Sequence, residues 1–170
     1  MSEIGPYAFG GCVGLENIKF PDTLKNLGTE NSGGYQFDGC AGLRGKLTIP
    51  QKFNAIGEGS FQGATKCLEE IECSADTLYE YCFCASLDSD TTIPFNLKKI
   101  TFTNTTSSTT FKFYDKCFGD MADFDLAAHG VELYVPNVSR EKFIEAINDL
   151  DDTVSRTFPE NQIIGYGPQA

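Results

Sequence analysis

Histidine occurs once in 170 residues, as His129, and 13 basic side chains face 24 acidic ones. A single imidazole excludes the paired-histidine metal helix His-Glu-x-x-His, and neither a Gly-x-Ser-x-Gly elbow nor a phosphate-cradling Gly-Lys-Ser/Thr loop occurs. Glu69-Glu70 and Asp151-Asp152 are adjacent carboxylates, but sequence neighbours face apart, and nothing marks a cleft between them. The sequence therefore predicts a non-enzyme without metal or cofactor. A formal charge of −11 argues against nucleic acid as a partner, because phosphate binding needs clustered Lys and Arg. Plain solubility is the simpler meaning of that charge, and a cationic partner the other. No apolar run reaches 18 residues, so no membrane-spanning segment is expected. Met1-Ser2-Glu3 leads straight into Ile4-Gly5 without a charged-then-apolar signal segment. The expectation is a stretch trimmed from a longer secreted protein, because an array that starts in mid-unit exposes an uncapped end.

What the chain has in abundance is recurrence. Leu-x-x-Ile-x-(Phe or Cys) appears at Leu15-Ile18-Phe20, Leu68-Ile71-Cys73 and Leu97-Ile100-Phe102, while Leu43-Leu47-Ile49 carries one extra residue. A small or polar residue followed by Phe recurs around Phe9, Phe37, Phe61, Phe83 and Phe118, and Leu24-Lys25-Asn26-Leu27-Gly28 has a counterpart in Phe53-Asn54-Ala55-Ile56-Gly57. The steps from Phe20 to Ile49, Cys73, Phe102 and Val135 are 29, 24, 29 and 33 residues, a period typical of stacked repeats. In Ile18-Lys19-Phe20 the alternation points Ile18 and Phe20 to one face and Lys19 to the other, which predicts a short half-exposed strand. One such unit cannot bury its apolar face alone. Stacking lets Ile18, Ile49 or Leu47, Ile71 and Ile100 form one ladder and the phenylalanines another.

The first unit, residues 4–27, carries Ile4-Gly5, Ala8-Phe9, Cys12, Leu15, Ile18 and Pro21, and in this it resembles the repeat of the BspA-like leucine-rich repeat family. Later units depart from that pattern. Gln36, Ser60, Cys82 and Cys117 stand where the family prefers Ala, and Ala64, Ser86 and Met121 where it prefers Cys. The resemblance covers about four fifths of the chain and implies a repeat solenoid, leucine-rich-repeat-like, of mostly short parallel strands and turns. Residues 1–136 read as an irregular array of about five units, the first truncated. Residues 137–170 read as a C-terminal cap: Ser139 starts a helix with Phe143, Ile144 and Ile147 on one face, Asp149 to Asp152 end it, and Gln162 to Tyr166 return as a strand. The resemblance also implies a secreted or cell-surface recognition or adhesion module, as in many bacterial members, with a protein or glycan ligand on a host surface or matrix. The rival reading is a structural spacer or capping fragment of a longer array.

Seven cysteines, Cys12, Cys40, Cys67, Cys73, Cys82, Cys84 and Cys117, invite a metal or disulfide reading. Cys82-x-Cys84 is too tight for the usual C-x2-C zinc pair, and the odd count resists complete pairing, although one disulfide stays open. The simpler reading is that Cys12 and Cys40 fill repeat turns as small hydrophobes. Thr29 to Gly34 is expected as an exposed loop. Asp88-x-Asp90 lacks the later ligands of a calcium loop and reads as a solvated turn. Ile93-Pro94 competes with Ile100-Phe102 for the strand position. The threonine-rich run 103–110 is open between a loop and the tip of a longer hairpin. Function, if carried by surface, belongs to the side chains that alternate outward from the strands: Lys19, Thr48, Glu72, Thr101 and Tyr134.

Overall fold

A computed structural model of the chain describes residues 3–28, 33–50, 53–84, 95–104, 108–119, 126–150 and 158–168. The recurring Leu-x-x-Ile pieces become strands β1 (Lys46–Ile49), β3 (Glu70–Cys73) and β5 (Lys99–Phe102), and Leu133-Tyr134-Val135 becomes the centre of β7 (Glu132–Pro136). These pair in parallel in the order β1-β3-β5-β7, and β8 (Ile163–Tyr166) adds a fifth strand beside β7. The 20 to 29 residues between the successive strands β1, β3, β5 and β7 leave room for the long crossover that parallel pairing requires. The third recurring piece builds a second parallel sheet, β2 (Ala55–Ile56), β4 (Thr77–Leu78) and β6 (Lys112–Phe113). Leu27 joins its edge through a bridge to Ile56.

The strand register decides the first ladder. Leu47, Ile71, Ile100, Leu133 and Ile163 stand opposite one another, each nearly fully buried. Leu47, not Ile49, is therefore the partner of Ile71, and Ile49 lies beside Cys73, which lies beside Phe102. The strand at Lys99–Phe102 takes the position opposite β3; Ile93-Pro94 and Asp88-x-Asp90 lie outside the described residues. The strands on either side of the threonine-rich run, β5 and β6, belong to different sheets, and residues 105–107 within it lie outside the described residues.

Ile18-Lys19-Phe20 does not form a strand. Copies one and two are joined there by the Arg44 N–H donating to Glu16 O at 3.1 Å. The extra residue of the second copy, Gly45, then intervenes with a left-handed φ of +66°. That conformation suits glycine, and β1 begins at the next residue, Lys46.

A third seam runs through the turns. The N–H groups of Phe9, Phe37, Phe61 and Phe83 donate to Gln36, Ser60, Cys82 and Cys117 O at 2.9, 2.9, 3.0 and 2.9 Å. Each copy thus bonds to the residue just before the next copy's phenylalanine. The rings stack in the same order, Phe9 on Phe37 at 5.1 Å, Phe37 on Phe61 at 5.4 Å and Phe61 on Phe83 at 6.0 Å between centroids. Phe118 leaves this stack and packs against Phe102, Phe113 and Phe158 instead.

After β7, α1 (Arg140–Asn148) lays Phe143 and Ile147 into the interior, with Ile144 half-buried. Phe143 meets Phe102 at 4.7 Å and Phe111 and Phe113 at 5.0 Å. Ser139 occupies the N-cap position, but its hydroxyl makes no capping bond; it lies 3.2 Å from Pro136 O and 3.3 Å from Asn104 O. Arg140 donates from Nε and Nη2 to Ile163 O at 3.1 and 3.0 Å, which ties the helix start to β8. Asn137 donates from Nδ2 to Gly167 O at 2.6 Å.

Candidate binding surface

In a strand the residues between the buried ones must face away from the core. Thr48, Glu72, Thr101 and Tyr134 do so, and the register sets them directly opposite one another in β1, β3, β5 and β7. They form one transverse row, Thr48 exposed and the other three half-buried. Lys19 is exposed but belongs to no strand; it lines an apolar hollow of 460 Å³ together with Ile4, Phe9, Leu15, Ile18 and Phe20. Four of the five outward residues read from the sequence therefore share a face.

A second row, Lys46, Glu70, Lys99 and Glu132, runs beside the first. The two rows partner each other. Lys46 forms an ion pair with Glu72, the Lys99 ammonium sits 4.2 Å from the Tyr134 ring centroid, and the Tyr134 hydroxyl donates to Glu132 Oε2 at 3.0 Å. That bond to a carboxylate raises the pKa of the phenol above its ordinary value. The face thus presents opposite charges in alternation around one tyrosine.

The outward-strand rule does not reach a column of residues at the turns, two positions before each repeat phenylalanine. Tyr7, Tyr35, Gly59, Tyr81 and Lys116 occupy it, all with left-handed backbone, at φ of 54, 62, 57, 57 and 58°. Tyr7 and Tyr35 stack at 5.0 Å and 3° from parallel. Tyr35 covers the bare Gly59 and donates its hydroxyl to Glu58 Oε1 at 2.7 Å. Burial first, then that bond to Glu58, raises the Tyr35 phenol pKa. The signal was in the sequence as a constant offset from Phe9, Phe37, Phe61, Phe83 and Phe118.

The other candidates separate by burial. None of the seven cysteines forms a disulfide, and only Cys12 is exposed. Cys40 fills its turn as a buried side chain, whereas Cys12, at the edge of the stack, does not. Cys82 and Cys84 lie at a turn and its exit, not in a strand. Desolvation pushes the Cys40 thiol up to about 11 and the Cys73 thiol up to about 12, which makes them poor nucleophiles and poor metal ligands. Among the described residues, no three His, Cys, Asp or Glu side chains are grouped so as to hold a metal ion. His129 is exposed in the turn before β7 and stacks on Phe95 at 4.3 Å. Glu69 and Glu70 are exposed, and Asp151-Asp152 lies outside the described residues. Among the described residues, no helix is long and apolar enough to cross a membrane.

No curated protein and no solved structure matches the chain. The BspA type leucine rich repeat region does, in 6 copies over residues 1–119. That span holds the phenylalanine stack, the tyrosine column and strands β1 to β6, and β7, α1 and β8 follow it. Parallel strands in register, phenylalanines stacked copy on copy and a matching repeat model over most of its length agree: the chain belongs to the BspA-type leucine-rich repeat family.

Proposed function

We propose that this protein is a non-enzymatic recognition or adhesion module that binds a protein or glycan ligand through the outward face of its larger sheet. The observation that carries the reading is the single row formed by Thr48, Glu72, Thr101 and Tyr134 across four parallel strands. A repeat surface of this kind offers many small contacts in line, and Tyr134 supplies area and a hydroxyl at the β7 end of the row. Family membership supports a binding role and a place on or outside a bacterial cell, with a host surface or matrix component as ligand. In this reading residues 1–136 are the solenoid array and residues 137–170 its cap.

The test is a binding screen of the purified chain against matrix proteins and glycans, repeated with Glu72→Ala and Tyr134→Ala and with Lys19→Ala as the member outside the row. Binding that falls at least tenfold in the first two variants supports the reading. A ligand bound equally by wild type and all three variants refutes the assignment of the face.

One observation favours a second reading, in which the chain is a spacer within a longer array. The hollow beside Phe9 is lined by Ile4, Leu15, Ile18, Phe20 and Phe37, and Val13 is 68 % exposed nearby in sequence. A further repeat stacked on this end would cover them. The parent reading frame decides it: upstream repeats would support the spacer.

A further inference from the structure

The hydrogen bonds between the repeat turns all run one way. Tyr7, Phe9 and Gly11 donate their N–H groups to the carbonyls of Gly34, Gln36 and Asp38 at 3.3, 2.9 and 2.7 Å, and Tyr35, Phe37 and Gly39 donate to Glu58, Ser60 and Gln62 at 2.8, 2.9 and 2.8 Å. Gly59, Phe61 and Gly63 repeat the pattern on Glu80, Cys82 and Cys84 at 2.9, 3.0 and 3.1 Å. Each turn thus gives three donors to the copy after it and offers three carbonyls to the copy before it. The N–H groups in between stay within the turn, Ala8 donating to Gly5 O and Gly10 to Tyr7 O at 3.2 and 2.9 Å.

In the first copy the three receiving carbonyls are those of Pro6, Ala8 and Gly10. Among the described residues no N–H group reaches them. All three residues are exposed, whereas their counterparts Gly34 and Gln36 are buried. Tyr7 stacks on Tyr35 and Phe9 on Phe37, and among the described residues no ring lies on the other face of either. The exposed large hydrophobic side chains, Tyr7, Phe9 and Val13, all belong to this one copy, and the apolar hollow lies beside Phe9. The opposite end of the stack is covered: α1 lays Phe143 and Ile147 into the interior, and Arg140 and Asn137 donate to Ile163 O and Gly167 O of the last strand and the residue after it.

Carbonyls beside apolar surface require donors when that surface is covered. The same turn of a second molecule brings three more acceptors, because its Tyr7, Phe9 and Gly11 N–H groups are already engaged by its own second copy. We propose that this end receives the last turn of a preceding repeat copy, whose N–H groups two residues before, at and two residues after its phenylalanine donate to Pro6, Ala8 and Gly10 O while its rings lie on Tyr7 and Phe9. The proposal rests on the spacer reading above, and it specifies which face of the covering copy is received and by which bonds. The chain is then a terminating piece, open to a copy at the Phe9 end of its stack and covered at the α1 end.

The probe is a labelled synthetic peptide of residues 4–20 with Cys12→Ser, in which Glu16 and Lys19 balance in charge; it is added to the intact chain and followed by fluorescence anisotropy. Saturable binding below 1 mM is expected. A second peptide carries ester links in place of the amides at Tyr7, Phe9 and Gly11, which removes the three N–H groups and keeps every side chain. It should bind at least tenfold more weakly, since three net hydrogen bonds are worth more than that factor. The carbon-13 carbonyl signals of Pro6, Ala8 and Gly10 in the intact chain should move on binding, and those of β7 and β8 should not. The folded chain is unaltered throughout, so lost folding cannot imitate lost binding. Any one of four outcomes overturns the proposal: no binding at 1 mM peptide, equal binding of the ester peptide, unmoved carbonyl signals at Ala8 and Gly10, or a dimer of the chain alone in sedimentation equilibrium that Val13→Glu dissociates. A parent reading frame without upstream repeats would refute the spacer reading alone, and equal binding of the two peptides would refute this seat alone.

Discussion

The rings of Phe37 and Phe61 lie 5.4 Å apart and 4° from parallel, while the Phe37 N–H donates to the carbonyl of Ser60, the residue just before Phe61. Backbone and side chain therefore repeat together, and the copies are tied by the same pair of contacts wherever both persist.

Phe61 is fully buried and has a stacked neighbour on each side, Phe37 and Phe83. Phe61→Ala removes both contacts and leaves a cavity, so a loss of about 3–5 kcal/mol in urea unfolding is expected. Phe9→Ala, at the half-exposed end of the stack, costs clearly less. Equal losses at the two positions would contradict a stack that is buried in its middle.

The polar substitutions at the repeat's alanine position make a coupled pair. The Ser60 hydroxyl lies 2.9 Å from Gln36 Oε1 and 2.8 Å from Gly57 O, and Gln36 Nε2 donates to Gly33 O at 3.3 Å, with both side chains fully buried. Ser60→Ala alone is expected to cost about 1–3 kcal/mol, because Gln36 loses a buried partner. Adding Gln36→Ala costs less in that background than in wild type. A double-mutant cycle that sums to zero coupling would show the two are independent.

Alkaline pH should loosen the core. Unfolded thiols ionise near 9.0, whereas burial holds Cys40 at about 11 and Cys73 at about 12. The unfolded chain therefore releases these protons first. Stability from this source is complete below pH 9 and is lost as pH rises through 11 and 12. The urea midpoint is expected to fall from pH 9 upward, with a shallower slope in Cys73→Ala. An unchanged slope in that variant would remove Cys73 from the account. At pH 8, a thiol reagent should modify Cys12 quickly and the buried cysteines only on unfolding.

Two glycines separate backbone conformation from space. Gly45 has φ +66° with nothing near a Cβ position, so Gly45→Ala costs only the left-handed strain, about 1–2 kcal/mol. A Cβ on Gly34 would fall on the carbonyl oxygen of Glu58. Gly34→Ala must push two copies apart and is expected to cost about 3 kcal/mol, the upper range for overpacking. The reverse order in thermal or urea unfolding would contradict the close approach of copies two and three.

The repeat units, their approximate length, the strands at Leu47, Ile71, Ile100 and Leu133 and the helix around Phe143 were legible in the sequence, because each rests on local periodicity and on which side chains avoid water. The position of the outward row was legible for the same reason: alternation along a strand needs no knowledge of its neighbour. What only the tertiary structure decided are relations between copies. Leu47 rather than Ile49 faces Ile71, Ile18 stays outside the sheet, Phe118 leaves the phenylalanine stack, and Tyr7 lies on Tyr35. Each depends on hydrogen bonds and ring contacts between residues sixteen or more apart. A single inserted glycine, or one neighbouring phenylalanine, shifts such contacts without disturbing the local pattern that announces the repeat.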